Sequence, residues 1–341
     1  MSGARDALDL LDRGTLAKIA AGFAVAFVLL YLFAVGIGIE EIRAELATAD
    51  YRWLAAACVS TAVGLVAWAK AWHVVLDVVG YAVPFRKLVV TYYAATFANY
   101  VTPLGQAGGE PFIAYVLSRD TEASYEDSLA SVVTADLLNL LPFFTFAAVG
   151  TAVLVARTSL PTQLEPVAGG LVVFALGVPV LAAVGWQFRF RLGQLAVRLT
   201  APVVRRAPYV SVEGIRTRLR DLNGAFERIA AEPRSLVYAL VFSYIGWFFF
   251  ALPLYLAALT VGSSVPLLLV FFIVPASTLA GLTPSPGGLG GIELALVGML
   301  TVLAGIPSAA AYSIALVYRV ACYWFAVAVG GLAALFVVSR S

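Results

Sequence analysis

Thr283-Pro284-Ser285-Pro286-Gly287-Gly288-Leu289-Gly290-Gly291-Ile292-Glu293 interrupts a long apolar run, and no continuous helix can pass through it. Its prolines lack the N–H that a helix interior needs, and its glycines weaken what remains. The same elements occur earlier in the chain, as Thr102-Pro103-Leu104-Gly105-Gln106-Ala107-Gly108-Gly109-Glu110. Each copy is Thr-Pro, a glycine-rich turn, Gly-Gly, and a glutamate that opens an apolar helix. The match extends further: Asp136 lies 26 residues past Glu110, and Arg319 lies 26 past Glu293, each a lone charge within an apolar stretch.

The surrounding composition makes these breaks intramembrane features. The chain has 341 residues, of which 62% are hydrophobic and 12% charged, with a mean hydropathy of +0.93. Soluble domains carry about 25% charged residues, so there is too little polar surface here to face water. Two cysteines, both in apolar runs, and a single histidine argue against a disulfide framework, a metal centre or haem. Lys18, Lys70 and Lys87 are the only lysines and none follows glycine, so a phosphate loop of the Gly-Lys-Ser/Thr kind is absent. No cofactor is expected, and no nucleic-acid partner.

Apolar stretches of crossing length, about 20 residues, occur near 19–38, 53–70, 127–155, 166–187, 235–260 and 308–338. The first reads as an uncleaved anchor. Segment 188–234 holds ten arginines against four acids and is assigned to the cytoplasm, whereas 39–52 and 156–165 are acidic and external. Both termini then lie inside, which requires an even number of crossings. The remaining apolar regions, 86–118 and 264–305, satisfy this as hairpins that return to their own sides, one entering from each face.

The expected fold is therefore an all-α polytopic membrane protein with about six full transmembrane helices plus two oppositely inserted re-entrant hairpins. It reads as a single domain, 1–341, built as an inverted repeat: about 53–187, a basic amphipathic segment 188–234, and about 235–338. Within 213–230, Ile215, Leu219, Leu222, Phe226 and Ile229 share one helical face, which suits a helix lying on an anionic leaflet; a plain positive-inside loop fits equally well.

Paired broken helices of opposite entry place a transporter's binding site near the midplane. Backbone amides freed at the breaks, at the N-termini of the second half-helices, favour anionic head-group atoms. The candidate substrate residues are Asn99, Thr102, Gln106, Gly108, Gly109 and Glu110 in the first copy. Thr283, Ser285, Gly287, Gly288, Gly290, Gly291 and Glu293 belong to the second, with Arg319 beyond it. Lys70, Asp136, Asn139 and Tyr318 are secondary candidates. Ionisable groups in a membrane interior are costly and usually functional; a purely architectural capping glutamate is the plainer alternative.

Asn99-Tyr100-Val101-Thr102-Pro103 through Gly108-Gly109-Glu110-Pro111, with Pro284 to Glu293 and Tyr318-Arg319, resembles the lysylphosphatidylglycerol synthase transmembrane, flippase-like family. Lys70-Ala71-Trp72 with Gly80 and Pro84 fits the same family. The resemblance implies a lipid-translocating membrane protein with two facing re-entrant hairpins. Full-length bacterial relatives carry a C-terminal domain that aminoacylates phosphatidylglycerol, an activity not expected of a chain that ends beside its last span. Asp136 departs from the arginine expected there, which bears on the substrate's charge.

Three functions follow. The leading one is passive or ion-coupled translocation of a phospholipid or lipid-linked precursor, with an anionic or lipid-linked head group in a groove between the hairpins. There Thr102, Gln106, Thr283 and Ser285 would hydrogen-bond the head group, and Arg319 would meet its phosphate or Glu293. The second is a membrane-embedded lipid-modifying transferase, which finds no Asp-x-Asp pair and no histidine-based constellation. The third is an accessory subunit of an envelope glycosyltransferase complex, docked through the basic segment. An enzyme is not the expected reading, and the cell membrane is the expected location. Of the lesser features, His73 and Asp77 read as an interfacial pair, and the six tryptophans mostly as interface anchors.

Overall fold

A computed structural model describes residues 13–101, 123–157, 212–281 and 285–340, with scattered helical residues within 114–118 and 166–191. Among the described residues every regular element is helical. In order these are α1 (Arg13–Ile37), α2 (Ile39–Ala47), α3 (Tyr51–Val78), α4 (Phe85–Val101), α5 (Tyr125–Arg157), α6 (Val212–Ala230), α7 (Pro233–Thr260) and α8 (Leu267–Ala280). A 3-10 turn at Pro286–Gly288 leads into α9 (Gly291–Ala304) and α10 (Ser308–Arg319). A π-helical turn, Val320–Trp324, then joins α10 to α11 (Phe325–Arg340).

Among the described residues, six helices are long and apolar enough to cross a membrane: Ala20–Ile37, Tyr51–Val78, Tyr125–Leu154, Pro233–Thr260, Pro286–Ala304 and Ser308–Val337. This is a multi-pass membrane protein. Five of the six coincide with spans read from the sequence. The expected span 166–187 falls largely outside the described residues, and Pro286–Ala304, expected as half of a hairpin, meets the length criterion instead.

Among the described residues, the largest helix interface joins α3 to α7. Gly64 and Gly246 make it possible, since a Cβ on Gly64 would stand 3.1 Å from the Gly246 carbonyl oxygen, and one on Gly246 only 2.4 Å from the Trp68 ring. The Asp50 amide donates to the Thr260 carbonyl at 2.9 Å, so the start of α3 lies beside the end of α7 and the two run antiparallel.

Both helices end in the same way. Val79-Gly80-Tyr81-Ala82-Val83-Pro84 follows α3, and Val261-Gly262-Ser263-Ser264-Val265-Pro266 follows α7. Gly80 and Gly262 have φ of 96° and 72°, a left-handed stop that L side chains resist. The two valines of each turn are buried, and each proline carbonyl accepts the first bond of the next helix. Those next helices then exchange partners: α4 packs along α11, and α8 along α5. A Cβ on Gly330 of α11 would lie 2.5 Å from the Tyr93 carbonyl of α4, and one on Gly150 of α5 would lie 2.4 Å from the Phe272 amide of α8.

Two expectations are corrected. Helix α6 does not rest its apolar face on lipid: Leu222, Ala225, Phe226 and Ile229 pack into the protein core with Leu76, Leu88 and Ala130. Asp127 of α5 receives Arg228 of α6 in an ion pair and the Tyr81 hydroxyl at 3.0 Å, which pins the helix to the bundle end. Nor are the tryptophans mostly interface anchors. Trp68 and Trp72 are buried, and Trp68 meets Trp247 edge-on at 5.5 Å between ring centroids. Trp53 is 41% exposed, near the start of α3.

Candidate functional site

Helices α8 and α9 have 14 residues each, about 21 Å at 1.5 Å per residue, short of a hydrocarbon core of about 30 Å. They pack against each other on either side of the break at 281–290. The described part of the break, 285–290, turns tightly because its glycines allow it. Gly287, Gly288 and Gly290 all have positive φ, at 56°, 65° and 88°. A Cβ on Gly287 would stand 2.0 Å from Tyr323, and one on Gly288 would stand 2.6 Å from the Gly281 Cα. The Ser285 hydroxyl, expected to hold substrate, instead donates to the Leu289 carbonyl at 2.8 Å and closes the turn on itself.

Glu293 is 1% exposed and Arg319 7%. The Glu293 carboxylate is used twice: Oε2 accepts the Gly290 amide at 2.7 Å, and Oε1 accepts Arg319 Nε at 2.7 Å. It is thus both the cap of α9 and the counter-ion of Arg319. Arg319 Nη2 donates to the Gly287 carbonyl, also at 2.7 Å. One guanidinium therefore ties the Gly287 carbonyl inside the break to the carboxylate that caps α9. Charge-assisted bonds of this length are the strong kind. Arg319 closes the 12-residue helix α10, roughly 18 Å from that helix's start.

Two aromatic residues that the sequence reading did not single out complete the assembly. The Arg319 guanidinium lies 4.4 Å from the centre of the Tyr323 ring. Tyr323 stacks on Tyr100 at 5.3 Å and donates its hydroxyl to the Tyr100 carbonyl at 3.1 Å. Since Tyr100 belongs to α4, the second break is tied to the helix that leads into the first. The signal was present in the sequence: Tyr323 follows Arg319 by four residues, the spacing at which helical side chains meet. Helix α1 covers the outside, with Gly22 against Pro286 and Phe27 stacked on Trp324 at 5.9 Å.

The other candidates separate. Thr102, Gln106, Gly108, Gly109, Glu110 and Thr283 lie outside the described residues. Gly291 opens α9, and Tyr318 is buried beside Arg319. Asn99 is half-buried near the end of α4. Lys70 is not part of this assembly. Its ammonium meets His73 Nδ1 at 3.2 Å and lies 5.2 Å from the centre of the Phe85 ring. Phe85 and Tyr100 are separated by most of α4, roughly 22 Å of helix. The expected His73–Asp77 pair forms, at 3.1 Å. Asp136 and Asn139 lie on α5, partly buried. No group of three metal-ligating side chains occurs among the described residues.

Comparisons with known proteins find relatives along nearly the whole chain. The chain is 28% identical over 335 residues to a UPF0104 membrane protein of Methanothermobacter thermautotrophicus, covering 95% of this chain and 94% of that protein. It is 24% identical over 308 residues to a UPF0104 membrane protein of Pyrococcus horikoshii, covering 87% and 91%. The model of the lysylphosphatidylglycerol synthase TM region matches residues 19–330, so the glycine-rich break, its glutamate and Arg319 all fall inside it, and the chain belongs to that family.

Proposed function

We propose that this protein moves a phospholipid or lipid-linked precursor across the cell membrane, its head group passing through a groove between two broken helices. The observation that carries the proposal is the buried Arg319–Glu293 pair clamped onto the Gly287 carbonyl at a helix break. Such a buried charged assembly is costly in a fold that needs only apolar packing. A head-group phosphate that displaced Glu293 from Arg319 would meet charged and backbone partners where lipid tails offer none.

The helix packing supports an inverted repeat. The two V-G-x-x-V-P turns, the Gly64–Gly246 contact across the α3–α7 interface and the exchange of α4 and α8 between α11 and α5 fit two halves of opposite orientation. In this scheme α8–α9 is a re-entrant hairpin, and the segment from Thr102 to Glu110 is its partner in the first half. Both termini and the arginine-rich segment 188–234 face the cytoplasm. The protein carries no chemistry of its own on the lipid; its partners are membrane lipids with anionic or lipid-linked head groups, and movement is passive or ion-coupled.

The test is reconstitution of the full chain into liposomes with fluorescent phosphatidylglycerol, phosphatidylethanolamine or a polyprenyl phosphate. Loss of outer-leaflet fluorescence to a membrane-impermeant quencher then measures exchange between leaflets. Exchange well above that of protein-free vesicles for one of these lipids is expected. No exchange of any of them, from protein that remains folded, removes the proposal.

A further inference from the structure

The turns that end α3 and α7 allow a comparison within the molecule, Gly80 corresponding to Gly262 and Pro84 to Pro266. The same backbone bonds close both. The Gly80 amide donates to the Asp77 carbonyl and the Gly262 amide to the Leu259 carbonyl, each at 3.1 Å. The Tyr81 amide donates to the Leu76 carbonyl at 3.3 Å, and the Ser263 amide to the Ala258 carbonyl at 2.9 Å. The side chains around them differ. At the same offset, Lys70, His73, Asp77 and Phe85 of the first turn correspond to Leu252, Tyr255, Leu259 and Leu267 of the second. Closing the turn therefore does not require the charged set.

His73 is the centre of that set. Its side chain is 14% exposed and that of Asp77 48%, so water reaches the ring directly at the bundle end. Nε2 lies 3.0 Å from the Val83 carbonyl oxygen, which accepts and cannot donate, so Nε2 carries a hydrogen. Nδ1 lies 3.2 Å from Lys70 Nζ and 3.1 Å from Asp77 Oδ2. These two neighbours make opposite demands. An ammonium only donates and needs a bare Nδ1, which means a neutral ring. A carboxylate only accepts and needs an Nδ1–H, which, with Nε2 already protonated, means an imidazolium. One nitrogen cannot serve both at once.

We propose that His73 is a proton-operated switch at the α3–α4 turn, which holds Lys70 when its ring is neutral and, when its ring is protonated, holds Asp77 and releases Lys70. In the neutral state Lys70 Nζ donates to Nδ1, and Asp77 turns its carboxylate to water. A proton taken from water forms the Nδ1–H bond. The imidazolium then donates to Asp77 and, more strongly than before, to the Val83 carbonyl. Two positive charges 3.2 Å apart repel, so the ammonium withdraws to the Phe85 ring of α4, whose centre is already 5.2 Å away. Return of the proton to water reverses the exchange. The pH of the compartment that bathes this end, the cytoplasm in the orientation proposed above, thereby sets which side chains tie α3 to α4. The switch does not depend on the translocation reading.

Among the described residues, Lys70 and Asp77 are the charged groups within hydrogen-bond distance of the ring. The elements packed around this end bring others. On α4, Arg86 and Lys87 are exposed, and Phe85 meets the ring edge-on at 5.5 Å. On α5, Asp127 is held by Arg228 of α6 and by the Tyr81 hydroxyl, with Glu126 next to it in the chain. Glu227 of α6, and Glu232 and Arg234 where α7 begins, are exposed. Arg119, Asp120 and Glu122 lie outside the described residues.

His73 is the only histidine and Lys70 one of three lysines, so selective 15N labelling of either type gives a spectrum assignable by substitution. Solid-state NMR of the histidine-labelled full chain in liposomes is expected to show Nε2–H with a bare Nδ1 at high pH, and both nitrogens protonated at low pH. In the lysine-labelled chain, the Lys70 ammonium signal should shift over the same pH range as the ring. That response should be lost in His73→Tyr, the residue found at the corresponding place in the second turn. It should be lost equally in His73→Gln, which keeps an acceptor without the ionisation, so the test survives if either variant misfolds. The ring also reports its partners: the bare Nδ1 signal should move in Lys70→Met, and the Nδ1–H proton, drawn downfield by the carboxylate, should move upfield in Asp77→Asn. A neutral ring protonated on Nδ1 overturns the proposal. So does a ring that stays neutral down to the pH of unfolding, a Lys70 signal that ignores ring protonation, or ring signals unchanged in both partner variants.

Discussion

Tyr323 supports Arg319 in two directions at once: its ring lies 4.4 Å from the guanidinium, and its hydroxyl reaches across to the Tyr100 carbonyl at 3.1 Å. The two contacts can be separated by substitution. Tyr323→Phe keeps the ring and removes the hydrogen bond, and should cost about 1 kcal/mol. Tyr323→Leu also loses the face that meets the cation, at about 2 kcal/mol for a desolvated pair, and should be clearly worse. Thermal unfolding of the purified protein in detergent reads both. Equal loss in the two variants would show that the ring contributes nothing to holding Arg319.

Gly287 tests how tightly the break is built. Its φ of 56° and the 2.0 Å approach of a Cβ to Tyr323 make Gly287→Ala unfavourable for two separate reasons. The left-handed conformation costs about 1–2 kcal/mol for an L residue, and the steric conflict about 1–3 kcal/mol more. Adding Tyr323→Ala should recover the steric part and not the conformational part. A double variant no more stable than Gly287→Ala with Tyr323→Ala summed independently would sever the contact between the break and the π-helical turn.

Topology can be read without the lipid. In sealed cells, Glu45→Cys should react with an impermeant maleimide and Arg206→Cys should react only after the membrane is opened. The charge census of segments 39–52 and 188–234 motivates this, and position 206 itself lies outside the described residues. External labelling of position 206 would reverse the assignment of sides.

The helical membrane fold was legible in the sequence because lipid imposes long apolar runs and charge-biased ends. The break at Thr283–Glu293 was legible for the same reason, since prolines and glycines there deny a helix whatever surrounds them. The bond from Arg319 to Glu293 could be named as a pairing because few counter-ions exist in an apolar core. The destination of α6 was not legible: an apolar stripe of Leu222, Phe226 and Ile229 looks the same whether it meets a leaflet or the α5 end of the bundle. Trp68 and Trp72 were misplaced because indoles suit both the interface and the core, and only the Gly246 notch facing Trp68 decides for the core. The duplicated V-G-x-x-V-P turns were present in the sequence too, but their meaning depends on two glycines sharing a backbone conformation.

The Arg319–Glu293 pair separates architecture from transport. Arg319→Leu alone leaves Glu293 buried at 1% exposure with its Oε1 bond gone, and Glu293→Leu alone leaves Arg319 with the Gly287 carbonyl and the Tyr323 ring but no counter-ion. Each single change should cost about 3–5 kcal/mol, because a buried charge loses its counter-charge, even though Arg319 keeps the Tyr323 ring beside it. The double variant orphans none. It loses the Gly290 cap, worth about 1 kcal/mol, and should unfold at a temperature well above either single variant. If the pair also serves the head group, the double variant will be folded and inserted yet exchange fluorescent lipid far more slowly than the unmodified protein. Exchange at the unmodified rate from that folded double variant would leave the pair as a structural clamp on the break, with the route of the head group to be sought along Asp136 and the first half instead.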